Sequence, residues 1–319
     1  MMMNLRLDGI VPVIPTPFDS AEELDIDSLK AAVEFAGSRR LAGMCLPAYG
    51  SEFYKLSDDE RKRVVGIAIE HNNGRIPVVA QANHPSAKVA ADVARQYEAM
   101  GADVISFAIP RLFAVTSDDL QNYCERIIRA VSCPVLLQDF NPGGPTVSVD
   151  FLVELKRRCD NLAFVKLEEP MLVEKLAAIH DRLGEELGLL TGWGGCYLMQ
   201  GLSVGSCGAM PGLAVCDVLD RVVKHRAEGQ IDPAFKVFAG VLPYLNYSLE
   251  NFEAFLQIEK RFLMRRGIFR DARCRMLHRT LSEKSLCYGD QLMDKVLLLM
   301  QGEQLERYFG SGGRPVSEN

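Results

Sequence analysis

Lys166 stands in the run Leu162-Ala163-Phe164-Val165-Lys166-Leu167-Glu168-Glu169-Pro170, behind four apolar residues and ahead of two carboxylates. The run has the length of a short buried strand, and Pro170 ends it. An ammonium group is costly inside such a strand. Burial favours the neutral amine, and a neutral amine attacks carbonyl carbon. A lysine that snorkels to solvent or pairs with Glu168 or Glu169 fits the same segment. Within the segment alone both readings stand, so the surrounding elements have to decide.

Those elements alternate. Strands are expected at Ile10 to Pro15, Gly43 to Ala48, Ile76 to Gln81, Asp103 to Ile109, Pro134 to Phe140, the Lys166 run, Leu189 to Gly192 and Ser206 to Pro211. Each is followed by an amphipathic or capped stretch. Asp27 to Arg39 carries Leu29, Ala32, Val33 and Phe35 at helical spacing. Ser57-Asp58-Asp59-Glu60 reads as a capping box, and Thr116-Ser117-Asp118-Asp119 as a second helix start. Further helices are expected at Ser86 to Met100, Ser148 to Arg158 and Leu172 to Leu183. Eight β-α units imply parallel strands and suit a (β/α)₈ TIM barrel. A doubly wound sheet gives the same local pattern, but no G-x-G-x-x-G follows the first strand. Residues 1–230 are assigned to the barrel. Residues 231–309 form a C-terminal helical region packed on it, with helices at 232–247, 249–266 and 288–307. Residues 310–319 read as a flexible tail.

The bulk properties narrow the function. The 319 residues are 48% hydrophobic and 24% charged, as in a globular chain. A net charge of −6 argues against a nucleic-acid partner. No apolar run approaches the roughly 20 residues that span a bilayer, and the start lacks the pattern of a signal peptide, so a cytoplasmic location and no membrane partner are expected. The nine cysteines contain no C-x-x-C and the five histidines no H-x-x-x-H. Small core thiols are expected, with no metal and no organic cofactor.

In a barrel the site lies at the C-terminal strand ends. The polar residues there are Tyr49, Gly50, Ser51 and Glu52; Gln81, Asn83 and His84; Gln138 and Asp139; Lys166, Glu168 and Glu169; then Gly192-Trp193-Gly194-Gly195. Alternation along a strand places Glu168 on the face of Lys166, nearer the mouth. At this point the chain resembles the dihydrodipicolinate synthase/N-acetylneuraminate lyase family over roughly residues 8 to 300. The resemblance rests on ordered pieces: Val13-Ile14-Pro15-Thr16-Pro17-Phe18, Tyr49 to Ser57, Gly101-Ala102-Asp103, Lys166, Gly205-Ser206-Cys207-Gly208 and Phe262 to Gly267. It implies a TIM barrel with a C-terminal helical region, a homotetramer or dimer, and a lysine that forms an imine with pyruvate or another 2-oxo acid.

The departures shape the expected roles. The family's hydroxyl-rich motif after the second strand becomes Ala48-Tyr49-Gly50-Ser51-Glu52, and its proton-relay tyrosine on the fifth strand becomes Gln138 in Gln138-Asp139-Phe140-Asn141-Pro142. Pro110-Arg111-Leu112 stands where Pro-Tyr-Tyr is common, and Gly143-Gly144 where synthases carry an arginine. The chain therefore departs from both a dihydrodipicolinate synthase and a standard sialic acid lyase. Lys166 is the expected Schiff-base nucleophile, with Tyr49 and Glu168 as candidate proton carriers and Gln138 as a hydrogen-bonding catalytic residue. Gly50 and Ser51 are the expected carboxylate nest, with Trp193 and Met210 as further substrate contacts. Arg111 could meet an acidic substrate, and His84 reads as peripheral. The expected activity is a class I lyase: aldol cleavage or condensation, or dehydration. A catalytically inactive 2-oxo-acid-binding homologue is the alternative, followed by a metal-dependent enzyme using Glu168, Asp139 and His84.

Overall fold

The computed structural model describes residues 5–141, 144, 146–169 and 171–300. Strands and helices alternate as β1 (Gly9–Ile10), α1 (Ile26–Ser38), β2 (Met44–Leu46), α2 (Asp58–Asn72), β3 (Val78–Gln81), α3 (Ala87–Met100), β4 (Val104–Ala108), α4 (Ser117–Ile128), β5 (Val135–Phe140), α5 (Val149–Arg158), β6 (Leu162–Glu168), α6 (Leu172–Leu183), β7 (Gly188–Thr191), α7 (Leu198–Ser203), β8 (Gly208–Ala209) and α8 (Cys216–Ala227). Three more helices follow: α9 (Ile231–Ser248), α10 (Phe252–Arg265) and α11 (Glu283–Met300). The expected end of the last helix at 307, the 310–319 tail, and Pro142, Gly143 and Pro170 lie outside the described residues.

Local chemistry sets the helix starts. The Ser57 hydroxyl accepts from Glu60 N at 3.2 Å, while Ser57 N donates back to Glu60 Oε2 at 2.8 Å. Thr116 and Asp119 repeat the exchange at α4.

All strand pairs are parallel, and consecutive strands are neighbours from β2 through β8, which in turn pairs with β1. This order excludes the doubly wound alternative. β1 and β2 close the barrel through an isolated bridge between Val13 and Cys45 and through Cys45 N donating to Pro12 O at 2.9 Å. The first strand is therefore shorter than expected. Pro12 and Pro15 have no N–H to give a continuous ladder. The eighth strand spans only Gly208 and Ala209, and the Leu189 carbonyl beside it accepts from both Cys207 N and the Ser206 hydroxyl.

The barrel interior is layered. Val79, Val104, Leu136, Phe164 and Leu190 form an apolar floor. Two residues further along their strands stand Gln81, Ser106, Gln138 and Lys166, all buried. The opposite faces, with Val165, Leu167, Leu137 and Phe107, pack outward against the helices. α9 to α11 share one core with the barrel: Phe238, Tyr244, Phe262 and Met293 join Ile10, Ile14 and Leu46. Among the described residues no helix is long and apolar enough to cross a membrane.

A buried ion pair ties α10 to the barrel. Lys260 and Glu52 are both fully buried and hydrogen-bonded to each other. Lys260 also donates to the Arg273 carbonyl at 2.8 Å and lies over the Phe18 ring. Glu52 additionally receives Lys55 Nζ at 3.0 Å and Arg275 N at 3.2 Å. Removing Lys260 leaves Glu52 buried with only Lys55 and the Arg275 amide on its other oxygen, and breaking a buried pair of this kind costs about 3–5 kcal/mol. Lys260→Ala is expected to lose that much in urea unfolding, and a loss under about 1 kcal/mol would show that the pair is not holding α10 down.

Candidate active site

The polar layer at the mouth is built by strand register. In the β5–β6 ladder Gln138 faces Lys166, and Phe140 faces Glu168. Lys166 and Glu168 are two residues apart, so both point inward, and their Nζ and Oε1 atoms are 3.2 Å apart. Gln138 Nε2 donates to Glu168 Oε2 at 2.6 Å. A carboxylate only accepts, so this bond fixes the amide orientation and turns Gln138 Oε1 towards Gln81. Gln81 Nε2 donates to it at 2.6 Å and reaches the Ser106 hydroxyl at 3.4 Å. The third donor to Glu168 is the Trp193 backbone N–H, 3.0 Å from Oε1. The carboxylate is thus held by groups from β6, β5 and the turn after β7.

That turn is shaped by the contact. A Cβ on Gly192 would sit 2.1 Å from Glu168 Cγ, so no side chain fits there. Trp193 then takes a left-handed backbone (φ 49°), which aims its amide at the carboxylate and its indole at the cavity.

The cavity has a volume of about 440 Å³, within the usual range for small-ligand sites. Lys166, Gln138, Glu168, Tyr49, Gly50, Trp193 and Met210 all line it. Tyr49 and Gly50 belong to a 3₁₀ turn, Tyr49–Ser51. Burial raises the Tyr49 phenol above its ordinary range, and the charge on Glu168 adds to the effect. Ser51 stands behind the wall. It is fully buried, its hydroxyl accepts from Ala48 N at 3.0 Å and donates to Ile14 O at 2.6 Å, and its amide donates to Ala48 O. Its place in a carboxylate nest is corrected accordingly: of that pair only Gly50 faces the cavity.

Three other expectations separate from the site. Arg111 pairs with the buried Asp139, which also accepts from Val147 N at 2.6 Å, so neither lines the cavity. His84 Nδ1 accepts from Ser86 N at 2.9 Å, outside the cavity. Glu168, Asp139 and His84 therefore do not converge as metal ligands, and no other group of three ligand side chains does so among the described residues. Glu169 turns away to Lys175 Nζ, 2.9 Å distant.

Several lining residues carried no assigned role in the sequence reading. Phe140 had a readable signal, being two residues beyond Gln138 on the same face. Leu249, Asn251, Phe252 and Phe255 had none, because only the packing of α9 and α10 over the mouth brings them there.

A sequence profile of the Dihydrodipicolinate synthetase family matches residues 6–288. The chain is 29% identical over 274 residues to the L-2-keto-3-deoxyarabonate dehydratase of Azospirillum brasilense, covering 85% of this chain and 88% of that protein. It is 25% identical to the 4-hydroxy-tetrahydrodipicolinate synthase of Methanococcoides burtonii, over 75% of this chain and 81% of that one. Its fold matches the 4-hydroxy-tetrahydrodipicolinate synthase structure from Methylacidiphilum fumariolicum with a TM-score of 0.86 at 20% identity, covering 95% and 99% of the two chains. A pyruvate complex of an Escherichia coli K12 prophage protein of the dihydrodipicolinic acid synthase family gives 0.83 at 22% identity, covering 92% and 98%.

Gly192→Ala tests the geometry of the carboxylate. The new methyl displaces Glu168 from Lys166 and from the Trp193 amide, and misplacement of this size costs about 100-fold in rate. The expected outcome is a drop in kcat of that order together with a lowered thermal midpoint, because the displaced buried carboxylate loses donors. Full activity would show that Glu168 need not sit where the structure holds it.

Proposed function

The chain belongs to the dihydrodipicolinate synthetase family, and from that membership we propose a lyase that dehydrates 4-hydroxy-2-oxo acids through an imine on Lys166. The observation that carries the reading is the Glu168 carboxylate, 3.2 Å from Lys166 Nζ and fixed by two further donors. The Azospirillum relative supports the substrate class, since a 2-keto-3-deoxy acid is a 4-hydroxy-2-oxo acid.

The steps balance as follows. Lys166 Nζ gives up a proton to Glu168 and attacks C2 of the substrate. Glu168 returns that proton to the C2 hydroxyl of the adduct, which leaves as water, and the protonated imine then draws electrons from the C3–H bond. Glu168 takes a proton from C3, giving the enamine. The enamine pair then expels the C4 hydroxyl, which departs as water with a proton supplied by the Tyr49 phenol. Hydrolysis of the unsaturated imine returns Lys166, and the proton held by Glu168 returns to Tyr49 through solvent. Cleavage of C3–C4 from the same adduct needs a base at the C4 hydroxyl, a role a protonated phenol does not fill. Gly50, lacking a side chain, leaves the main chain open to the substrate's C1 carboxylate, while Gln138 orients Glu168.

Borohydride treatment in the presence of pyruvate, read by peptide mass spectrometry, is expected to place one adduct on Lys166 and none in Lys166→Ala. Glu168→Gln is expected to retain the adduct yet lose about 10²–10⁴-fold in kcat, the usual worth of a general base. An adduct elsewhere, or near-normal turnover in Glu168→Gln, would sink this assignment.

A further inference from the structure

The outer half of the cavity is an aromatic box. Phe140 lies at its centre, with ring centroids 5.2 Å from Tyr49, 6.3 Å from Trp193 and 5.8 Å from Phe252. Phe252 continues to Phe255 at 5.9 Å. All five rings line the cavity and come from four separate parts of the barrel and its C-terminal helices. Phe140 lies two residues beyond Gln138 on β5, on the mouth side of Lys166.

Few side chains in this box can hydrogen-bond a C4 substituent: the Tyr49 hydroxyl, which also lines it, is assigned above to the C4 oxygen itself. Gln138 is engaged at both ends, by Gln81 and Glu168. The side-chain oxygen of Asn251 caps α10, accepting from Glu253 N at 3.0 Å and Ala254 N at 3.1 Å. Charge is also one-sided. Among the described residues that line the cavity, Lys166 is the only cation, and it is taken by the imine. The other ionisable lining groups are the carboxylates Glu168 and Glu250 and the Tyr49 phenol. Arg111 contributes through space to Tyr49 but is bound to Asp139.

We propose that this aromatic box selects 4-hydroxy-2-oxo acids whose C4 substituent is uncharged and apolar, alkyl or aryl, over hydroxylated or carboxylated ones. The proposal rests on the imine reading above and specifies the substrate of the same site. An apolar pocket discriminates against an added hydroxyl by about 100-fold at most. A second carboxylate, with no cation to meet it and two acids nearby, is disfavoured at least as strongly.

The test uses the sole tryptophan, which lies in the box. Trp193 fluorescence in Lys166→Ala protein reports binding without imine formation. The probes are 4-hydroxy-2-oxo acids bearing phenyl, isopropyl, hydroxymethyl or carboxyl at C4, the hydroxymethyl acid being a 2-keto-3-deoxypentonate. The phenyl and isopropyl acids are expected to bind at least tenfold tighter than the hydroxymethyl acid and about 100-fold tighter than the dicarboxylate. Their kcat/KM order with the wild-type enzyme should be the same, which keeps the test available if the variant does not fold. Phe252→Ala should narrow the phenyl-to-hydroxymethyl ratio about tenfold. Equal or tighter binding of the hydroxymethyl acid or the dicarboxylate overturns the proposal. The two readings fail separately: absence of any borohydride adduct overturns the imine chemistry, whereas the binding order in Lys166→Ala decides the tail preference by itself.

Discussion

The site depends on one charge pair inside a barrel. Lys166 and Glu168 lie on the same face of one strand, with their charged atoms 3.2 Å apart and little water around them. At such a distance attraction is strong in a low dielectric, but desolvation of both ions is comparably costly. The carboxylate is tolerable there because three donors from three elements meet it. Below, the layer of Val79, Val104, Leu136, Phe164 and Leu190 closes the barrel, so the pair opens only upward. The missing side chain at Gly192, the left-handed backbone of Trp193 and the Gln81–Gln138 relay all follow from keeping that carboxylate in place.

The mouth is built differently from the floor. Phe252 and Phe255 come from α10, Leu249 and Asn251 from the segment before it. The Lys260–Glu52 pair anchors α10 to the turn that carries Tyr49 and Gly50. One buried interaction therefore fixes two walls of the cavity relative to each other, and the C-terminal helices are part of the site rather than a covering.

Much of this was legible in the sequence, and the limits have physical reasons. The alternation of short apolar runs with capped amphipathic stretches specifies parallel strands, and the two-residue period places Glu168 beside Lys166 without coordinates. Strands β1 and β8 are shorter than the apolar runs suggest, and at β1 apolar content says nothing of whether Pro12 lets a ladder continue. Ser51 was misplaced for a related reason. A hydroxyl in a turn can serve the backbone as well as a ligand, and here it bonds Ala48 and Ile14. Arg111 read as open to substrate because its partner Asp139 is 28 residues away and its pairing is a tertiary fact. Phe252 and Phe255 fit any amphipathic helix, so nothing local distinguished a cavity wall from core.

The protonation of Tyr49 bears on which bond breaks. Burial and the negative charge of Glu168 both disfavour the phenolate, so the group stays a protonated phenol. In the proposed mechanism the base is the Glu168 carboxylate, next to the carbon that the imine acidifies. An acid above and a base below match β-elimination, in which C3 loses a proton while the C4 oxygen gains one. Retro-aldol cleavage requires the reverse at the C4 oxygen, which must lose its proton as C3–C4 breaks. Gln138, standing where the family usually has a fifth-strand tyrosine, cannot exchange a proton in either direction. With that residue replaced, the proposed mechanism leaves proton traffic to Glu168 and Tyr49, and we read the pair as serving loss of water rather than cleavage of carbon from carbon.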